Sequence, residues 1–375
     1  MLSIETIDTS SKSQVNSFVQ FHYDLYKGHP QWVPPFYSDI KAMLNRNKHP
    51  YYEHSDAEFF VAKRNGEIVG RIALLENKPF NTYHETRKAN FYLFDCIDDQ
   101  ETANCLFDAA FDWSRKRNLD LLIGPKGFSL FDGYGIQVEG HEYRQMMTMM
   151  NYNFPYYSKL VETIGFEKEV DFVSCHLPME TFQIPEKIRE IARRVKERGK
   201  FQVQNFQSKR ELLKYVKRIG EAYNKTFVNN WEYWPMTERE IKYIVDTIIT
   251  IAVPQLIKLM TYNDEVVGFL FGFPDISDAL QRQGGKITPW GLADIMLDLR
   301  RTKMISLNGA GVLPEFHGRG GNALMYYEME RTIRDFKYHN GELTQVAESA
   351  SQMRKDLITA GGVPYKNHRV FRRAV

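Results

Sequence analysis

At 375 residues the chain exceeds what one hydrophobic core ordinarily organises, so two domains are expected. Its composition, 43% hydrophobic and 26% charged, is that of a folded globular protein and excludes general disorder. The net charge of +2 supplies no long-range field favouring nucleic acid, so no nucleic-acid partner is expected.

Cys96, Cys105 and Cys175 form no CxxC pair, and three thiols cannot all pair with one another. Free thiols in a reducing compartment follow, and with them a cytoplasmic location. The opening "MLSIETIDTSSKSQ" has no charged region leading into an apolar core, and no apolar run is long enough to span a bilayer. The ten histidines show no HxxxH or HxH spacing, so no metal site is expected.

In chain order, "TIDTSSKSQVNSFV" predicts a strand and then a helix. "FFVAKRNGEIVGRIAL" (59–74) predicts a hairpin turning at Arg64-Asn65-Gly66. "NCLFDAAFDWSRKRNLDLLIGP" predicts a long helix and a strand. "YYSKLVETIGFEKEVDFVSCHL" (156–177) predicts a helix ended by Gly165 and then a strand. Between the last two, 124–155 has no evident secondary structure but is too aromatic and methionine-rich for disorder. It reads either as an ordered loop over the meeting of two halves or as the lining of a pocket for an acyl chain or bulky substrate. "GFSLF" within it lacks the second glycine of a nucleophile elbow. Residues 181–200, basic and amphipathic in "KIREIARRVKERGK", read as a connecting helix with a solvated face.

The second half repeats the first. Ser11-Lys12 matches Ser208-Lys209, where Ser208 and Glu211 fit a capping box. Gly70 matches Gly268 in the hairpin "IKLMTYNDEVVGFLFGF" (257–273). Leu160 and Gly165 match Leu357 and Gly362, and both glycines are expected as helix C-caps. Between these landmarks the spacing changes. The second half has gained about twenty residues before its long helix, and the first a similar length after its own. The element order is β, α, hairpin, β, long α, β, α, β in each half. It predicts an α/β (α+β) fold of two tandem domains, each a mixed, mostly antiparallel sheet flanked by helices. The boundaries are 1–180, a connecting helix over 181–200, and 201–375.

One loop carries the chemistry. "HGRGGN" (317–322) lies between the strand "LNGAGVLP" and the helix opening at Ala323. Glycines let backbone N–H groups converge on an anion, and the helix N-terminus adds a favourable dipole. His317, Gly318, Arg319, Gly320, Gly321, Asn322 and Ala323 are therefore the expected phosphate cradle, with Arg319 and His317 adding charge-assisted contacts. The corresponding stretch of the first half, "CIDDQETANCL" (96–106), has acidic residues and no glycine and would repel an anion.

With these features the chain resembles the GNAT superfamily of CoA-dependent acyltransferases. The likeness rests on the strand ending in "GVLP", the Q/R-x-x-G-x-G/A-like loop and the closing section "ESASQMRKDLITAGGVPYKNHRVFRRAV". The stretches "GP…S…G" and "MMNYNFPYY" resemble a bacterial tandem-GNAT family of YghO type. The resemblance implies acetyl-CoA or a longer acyl-CoA as co-substrate and an amine acceptor, small or lipid-like. It implies that Gly309 and Gly311 let the co-substrate approach the strand and that a backbone N–H at Val312 or Leu313 stabilises the oxyanion. Glu348 is the candidate base and Asn308 a substrate-orienting residue. The departures are His317 and Asn322 in the loop, and Ser351 and Ile358 where many members carry Asn and an acid Tyr. Two alternatives stay open: a non-catalytic acyl-CoA-binding or regulatory protein, and an aminoacyl-tRNA-dependent transferase.

Overall fold

The computed structural model describes residues 1–375 except Leu130, Thr148, Met149, Asn229 and Ala360, with the backbone alone for Gln352 and Asp356. Thr148 and Met149 of the methionine-rich stretch thus lie outside the described residues.

The first part of the chain runs β1 (Leu2–Thr6), α1 (Lys12–Leu25), α2 (Tyr37–Met43), β2 (Asp56–Arg64), β3 (Glu67–Glu76), α3 (Lys78–Tyr83) and β4 (Lys88–Cys96). Then follow α4 (Gln100–Lys116), β5 (Leu121–Gly124), β6 (Ile136–Glu139), α5 (Tyr157–Ile164) and β7 (Glu167–Pro178). The rest begins with α6 (Glu186–Arg198), β8 (Phe201–Gln204), α7 (Lys209–Leu213), α8 (Val216–Thr226) and α9 (Glu238–Ile248). It continues through β9 (Ile257–Tyr262), β10 (Glu265–Pro274), α10 (Ser277–Gln283), α11 (Pro289–Arg301) and β11 (Met304–Val312). It closes with α12 (Gly321–Asp335), β12 (Asn340–Ala347), α13 (Ser351–Thr359) and β13 (Val363–Ala374). The expected order of elements occurs in both parts. The added length before the second long helix is α10 and α11.

Two compact units emerge. One comprises residues 1–173, 277–296 and 365–375, the other 174–276 and 297–364. In the first, β1 to β4 form an antiparallel meander, β4 pairs parallel with β5, and β13 lies antiparallel to β5, with Phe371 opposite Gly124. In the second, β8 to β11 are antiparallel and β11 pairs parallel with β12.

Local chemistry explains several element ends. Ser11 and Ser208 cap α1 and α7 by accepting from Gln14 N and Glu211 N. Glu211 reaches back to Gln207 N, one residue before the expected partner, so the full capping box is absent there. One forms instead at Thr237 and Glu240 of α9. Gly165 ends α5 at φ 97°. After α13 the left-handed residue is Gly361, at φ 95°, and Gly362 N donates to Leu357 O, so the turn sits one residue earlier than expected.

Residues 124–155 contain β6, which sequence periodicity did not reveal because the strand is only four residues long and pairs with residues far away at Arg369, His368 and Asn367. His368 on β13 is fully buried. Its Nε2–H donates to Asn151 O at 3.0 Å, and its Nδ1 has no partner among the described residues. Burial, with Lys366 and His141 nearby, pushes its pKa down to about 3. The unfolded chain binds this proton below about pH 6.5 and the folded chain does not, so stability falls as pH falls through that range. Between pH 6.5 and 5 the loss is about 2 kcal/mol. His368→Gln is expected to flatten the slope, measured by urea unfolding of both proteins at pH 7.5 and pH 5; parallel slopes would contradict it.

Candidate acyl-transfer site

In the second unit, β11 and β12 pair from Met304 opposite Asn340 to Leu307 opposite Leu343, and no register continues beyond that. The strands part at Asn308. Opposite Phe271, between the pairs Leu270–Ala310 and Gly272–Leu307, β11 carries Asn308 and Gly309 as an extra residue, a β-bulge. Gly309 meets this geometry at φ 80°, where a side chain would be strained. Gly311 is bare for another reason: a Cβ there would lie 2.3 Å from Thr226 Cγ2 of α8.

Asn308 is 4% exposed, and its side-chain Oδ1 finds no hydrogen-bond partner among the described residues. A buried orphan acceptor is costly in a finished core and points to a site that takes a donor. Leu313 N donates to Val267 O at 2.9 Å, so its amide is engaged by the sheet. Because antiparallel ladders alternate, the amide of Val312, opposite Gly268, turns the other way, into the opening toward β12. Glu348, partly exposed, follows β12 immediately and so ends the other arm of the same opening.

The arm through Val312 leads into the loop. His317 Nε2–H donates to Val312 O at 2.8 Å and braces the turn. Gly318 and Gly320 are both left-handed, at φ 73° and 83°. Arg319 is exposed, with its guanidinium over Phe316 at 5.1 Å. Gly320 is the N-cap of α12, with no side-chain cap and no acidic residue in the first turn. The first amides of α12, at Gly321, Asn322 and Ala323, therefore face outward with neither a side-chain cap nor an intrahelical acceptor. Gly321 leaves room for the Met260 side chain, whose Sδ would lie 2.5 Å from a Cβ there and would have to shift. Ala323 is buried and Asn322 exposed.

The basic helix α6 stands beside this loop. Ile191 and Val195 come within 2.8 Å of where a Gly320 Cβ would be, and Lys196 reaches Glu328 of α12 at 2.7 Å. Arg193, Arg194 and Arg198 stay exposed on it. The sequence reading made this run a connecting helix with a solvated face; its approach to the loop joins residues far apart in the chain and leaves no local signal.

In the first unit the corresponding positions are closed by side chains. Asp99 caps α4 by accepting from Thr102 N at 2.8 Å, and Arg64 holds Asp99 and Glu101 at 2.9 and 2.7 Å. Cys96, opposite Gly70 as Val312 is opposite Gly268, gives its amide to Tyr157 Oη at 3.0 Å. Tyr157 bonds Tyr26, which bonds Asp95. Side chains of the unit itself fill that opening.

The described residues include no group of three or more His, Cys, Asp or Glu arranged for a metal, and no helix long and apolar enough to cross a membrane. Residues Cys96, Cys105 and Cys175 are free thiols.

The chain matches no protein-family profile. It is 24% identical over 97% of its length to Protein YghO of Escherichia coli (94% of that protein). It is 25% identical over 99% to a bacterial ceramide synthase of Caulobacter vibrioides (98% of that protein). Its fold superposes over 100% of its length on 98% of a tandem GNAT protein from the clavulanic acid biosynthesis pathway, with a TM-score of 0.56 at 12% identity. The fold is the GNAT fold, carried twice in one chain.

Proposed function

We propose that the protein is an acyl-CoA-dependent N-acyltransferase whose one active site lies in the second unit, with the first unit as a filled, non-binding repeat. The observation that carries this reading is the contrast between the two long helices. The N-terminus of α12 is a bare glycine cap with left-handed Gly318 and Gly320 before it, whereas that of α4 is closed by its own Asp99. A pyrophosphate suits the first and is excluded from the second.

Acyl transfer then proceeds by direct attack. The acceptor amine adds to the thioester carbonyl carbon, and the Val312 amide stabilises the oxygen as it becomes negative. Glu348 accepts the amine proton, directly or through water. Collapse breaks the C–S bond, and the CoA thiolate leaves and takes a proton from solvent, since exposed Ile358 stands where the resemblance places an acid. Asn308 orients the amine with its unpartnered carbonyl oxygen. We take the acceptor to be a lipid-like amine, as the name of the Caulobacter relative suggests for that protein, and the setting to be cytoplasmic, without nucleic acid.

The exposed Ile358 also favours a second reading, a non-catalytic acyl-CoA binder. One experiment separates the two. Melting temperatures are measured with CoA, acetyl-CoA and palmitoyl-CoA, and thiol release is then followed with long-chain amines. A rise in melting temperature with release, lowered about a hundredfold in Glu348→Gln, is the expected result. No rise with any of the three overturns both readings; a rise without release leaves only the binder.

A further inference from the structure

The outer face of α11 takes no part in the chemistry above. Five large apolar side chains left exposed, Ile287, Trp290, Leu292, Met296 and Leu297, fall within eleven consecutive residues. Trp290 is 87% exposed, where an indole is ordinarily mostly covered. At helical spacing Trp290, Ala293 and Leu297 share one face with Met296 beside them, while Gly291 and Ile295 turn inward and are buried.

The helix is held firmly by α10. Thr288 Oγ1 accepts from Gly291 N at 2.9 Å, and Gln283 Nε2 donates to Gly291 O at 3.0 Å. Arg282 forks onto Asp294 at 2.8 and 3.0 Å. A Cβ on Gly291 would lie 2.0 Å from Gln283 Oε1, so the Gln283 side chain rests directly on the backbone of α11. The apolar face is thus presented on a fixed support.

Charge selects its occupant. Lys286 precedes the patch, and Arg300, Arg301 and Lys303 follow it, all exposed. Of the two carboxylates in the stretch, Asp294 is clamped by Arg282 and Asp298 is half-buried. A second copy packed on this face by a two-fold would set cations against cations. An anionic bilayer instead offers phosphates to the cations and a headgroup boundary to the indole and leucines.

We propose that α11 docks the protein on an anionic lipid surface, with Trp290 and Leu297 entering the interface and Lys286, Arg300 and Arg301 meeting lipid phosphates. The attraction is local, since the whole chain carries only +2. It is independent of the acyl-transfer reading.

The full-length protein is sedimented with phosphatidylcholine vesicles and with vesicles that also contain phosphatidylglycerol, and tryptophan emission is followed in parallel. Pelleting with the anionic vesicles alone, with a blue shift absent in Trp290→Ser, is the expected result. Trp290→Ser/Leu297→Ser and Arg300→Glu/Arg301→Glu each lower partitioning about tenfold or more, with melting temperatures unchanged because all four side chains are exposed. Wild-type protein that stays in the supernatant with both vesicles overturns the proposal. So does lipid-free self-association that Trp290→Ser abolishes, which would make the face an interface between copies. Equal binding to neutral vesicles would overturn the role of the arginines.

Discussion

Gly320→Asp is expected to abolish the rise in melting temperature that the proposed acyl-CoA site predicts for the wild-type protein. At a hundredfold excess over Kd that rise corresponds to about 2.7 kcal/mol. The substituted carboxylate would stand at the uncapped end of α12 and take the amides that a phosphate needs, as Asp99 does at α4. Strain must be separated from charge, because Gly320 lies at φ 83° and a Cβ there meets Ile191 and Val195 at 2.8 Å. Gly320→Ala carries the same Cβ and the same backbone cost, about 1–2 kcal/mol, without the carboxylate. Both variants should melt lower than wild type in the absence of ligand, and only the alanine variant should respond to acyl-CoA. Equal loss of response in the two would mean that loop shape, and not electrostatics, governs binding. A full response in Gly320→Asp would remove the phosphate from this loop.

The second large effect concerns stability. Asp95→Ala is expected to cost about 3–5 kcal/mol, measured by urea unfolding at pH 7, because it leaves Arg71 buried without its counter-charge. Arg71 is 1% exposed and reaches Asp95 at 2.6 Å, while His22 Nδ1 lies 2.9 Å from the same carboxylate. Burial works against ionisation of Asp95, yet His22 and Arg71 hold it well below the usual carboxylate range. Burial lowers the pKa of His22 itself, and the Asp95 carboxylate works against that shift. A depressed carboxylate contributes stability above its unfolded pKa of about 3.9 and loses it only as pH falls through the folded value. The variant should therefore converge with wild type only in strong acid. Arg71→Met/Asp95→Leu should cost less than the sum of the single changes, since neither charge is left alone. Additive losses would show that the pair does not act as a unit.

Much of the architecture was legible in residue order, and the reasons for the exceptions are physical. Local signals held where the interaction is local: Ser11 and Ser208 cap helices, Gly165 ends one, and Asn65 and Asn263 turn the hairpins at φ 54° and 49°. The one-residue differences at Gly361 and Gln207 arise where two neighbouring residues are chemically able to fill the same place. Strand β6 and the approach of α6 to Gly320 were hidden because their partners lie far off in the chain. Within the loop, the sequence grouped seven residues under one role, and the geometry divides them: Gly318 and Gly320 turn the backbone, Gly321 makes room for Met260, and His317 braces the strand end. The engagement of the Leu313 amide follows from ladder phase, which no pattern of residue types encodes.

Strand β13 has a consequence for how the protein is made. Residues 365–375 complete the sheet of the first unit, where Arg372, Arg373 and Ala374 stand opposite Ile123, Leu122 and Leu121 and Val375 N donates to Asp120 O. A ribosome releases these residues only after it has made all of the second unit. Until then β5 presents a bare edge, the kind of surface that recruits foreign strands. The N-terminal unit thus cannot finish folding during its own translation, and its assembly is timed by completion of the C-terminal one. A nascent or prematurely stopped chain would show its defect in the half that was synthesised first.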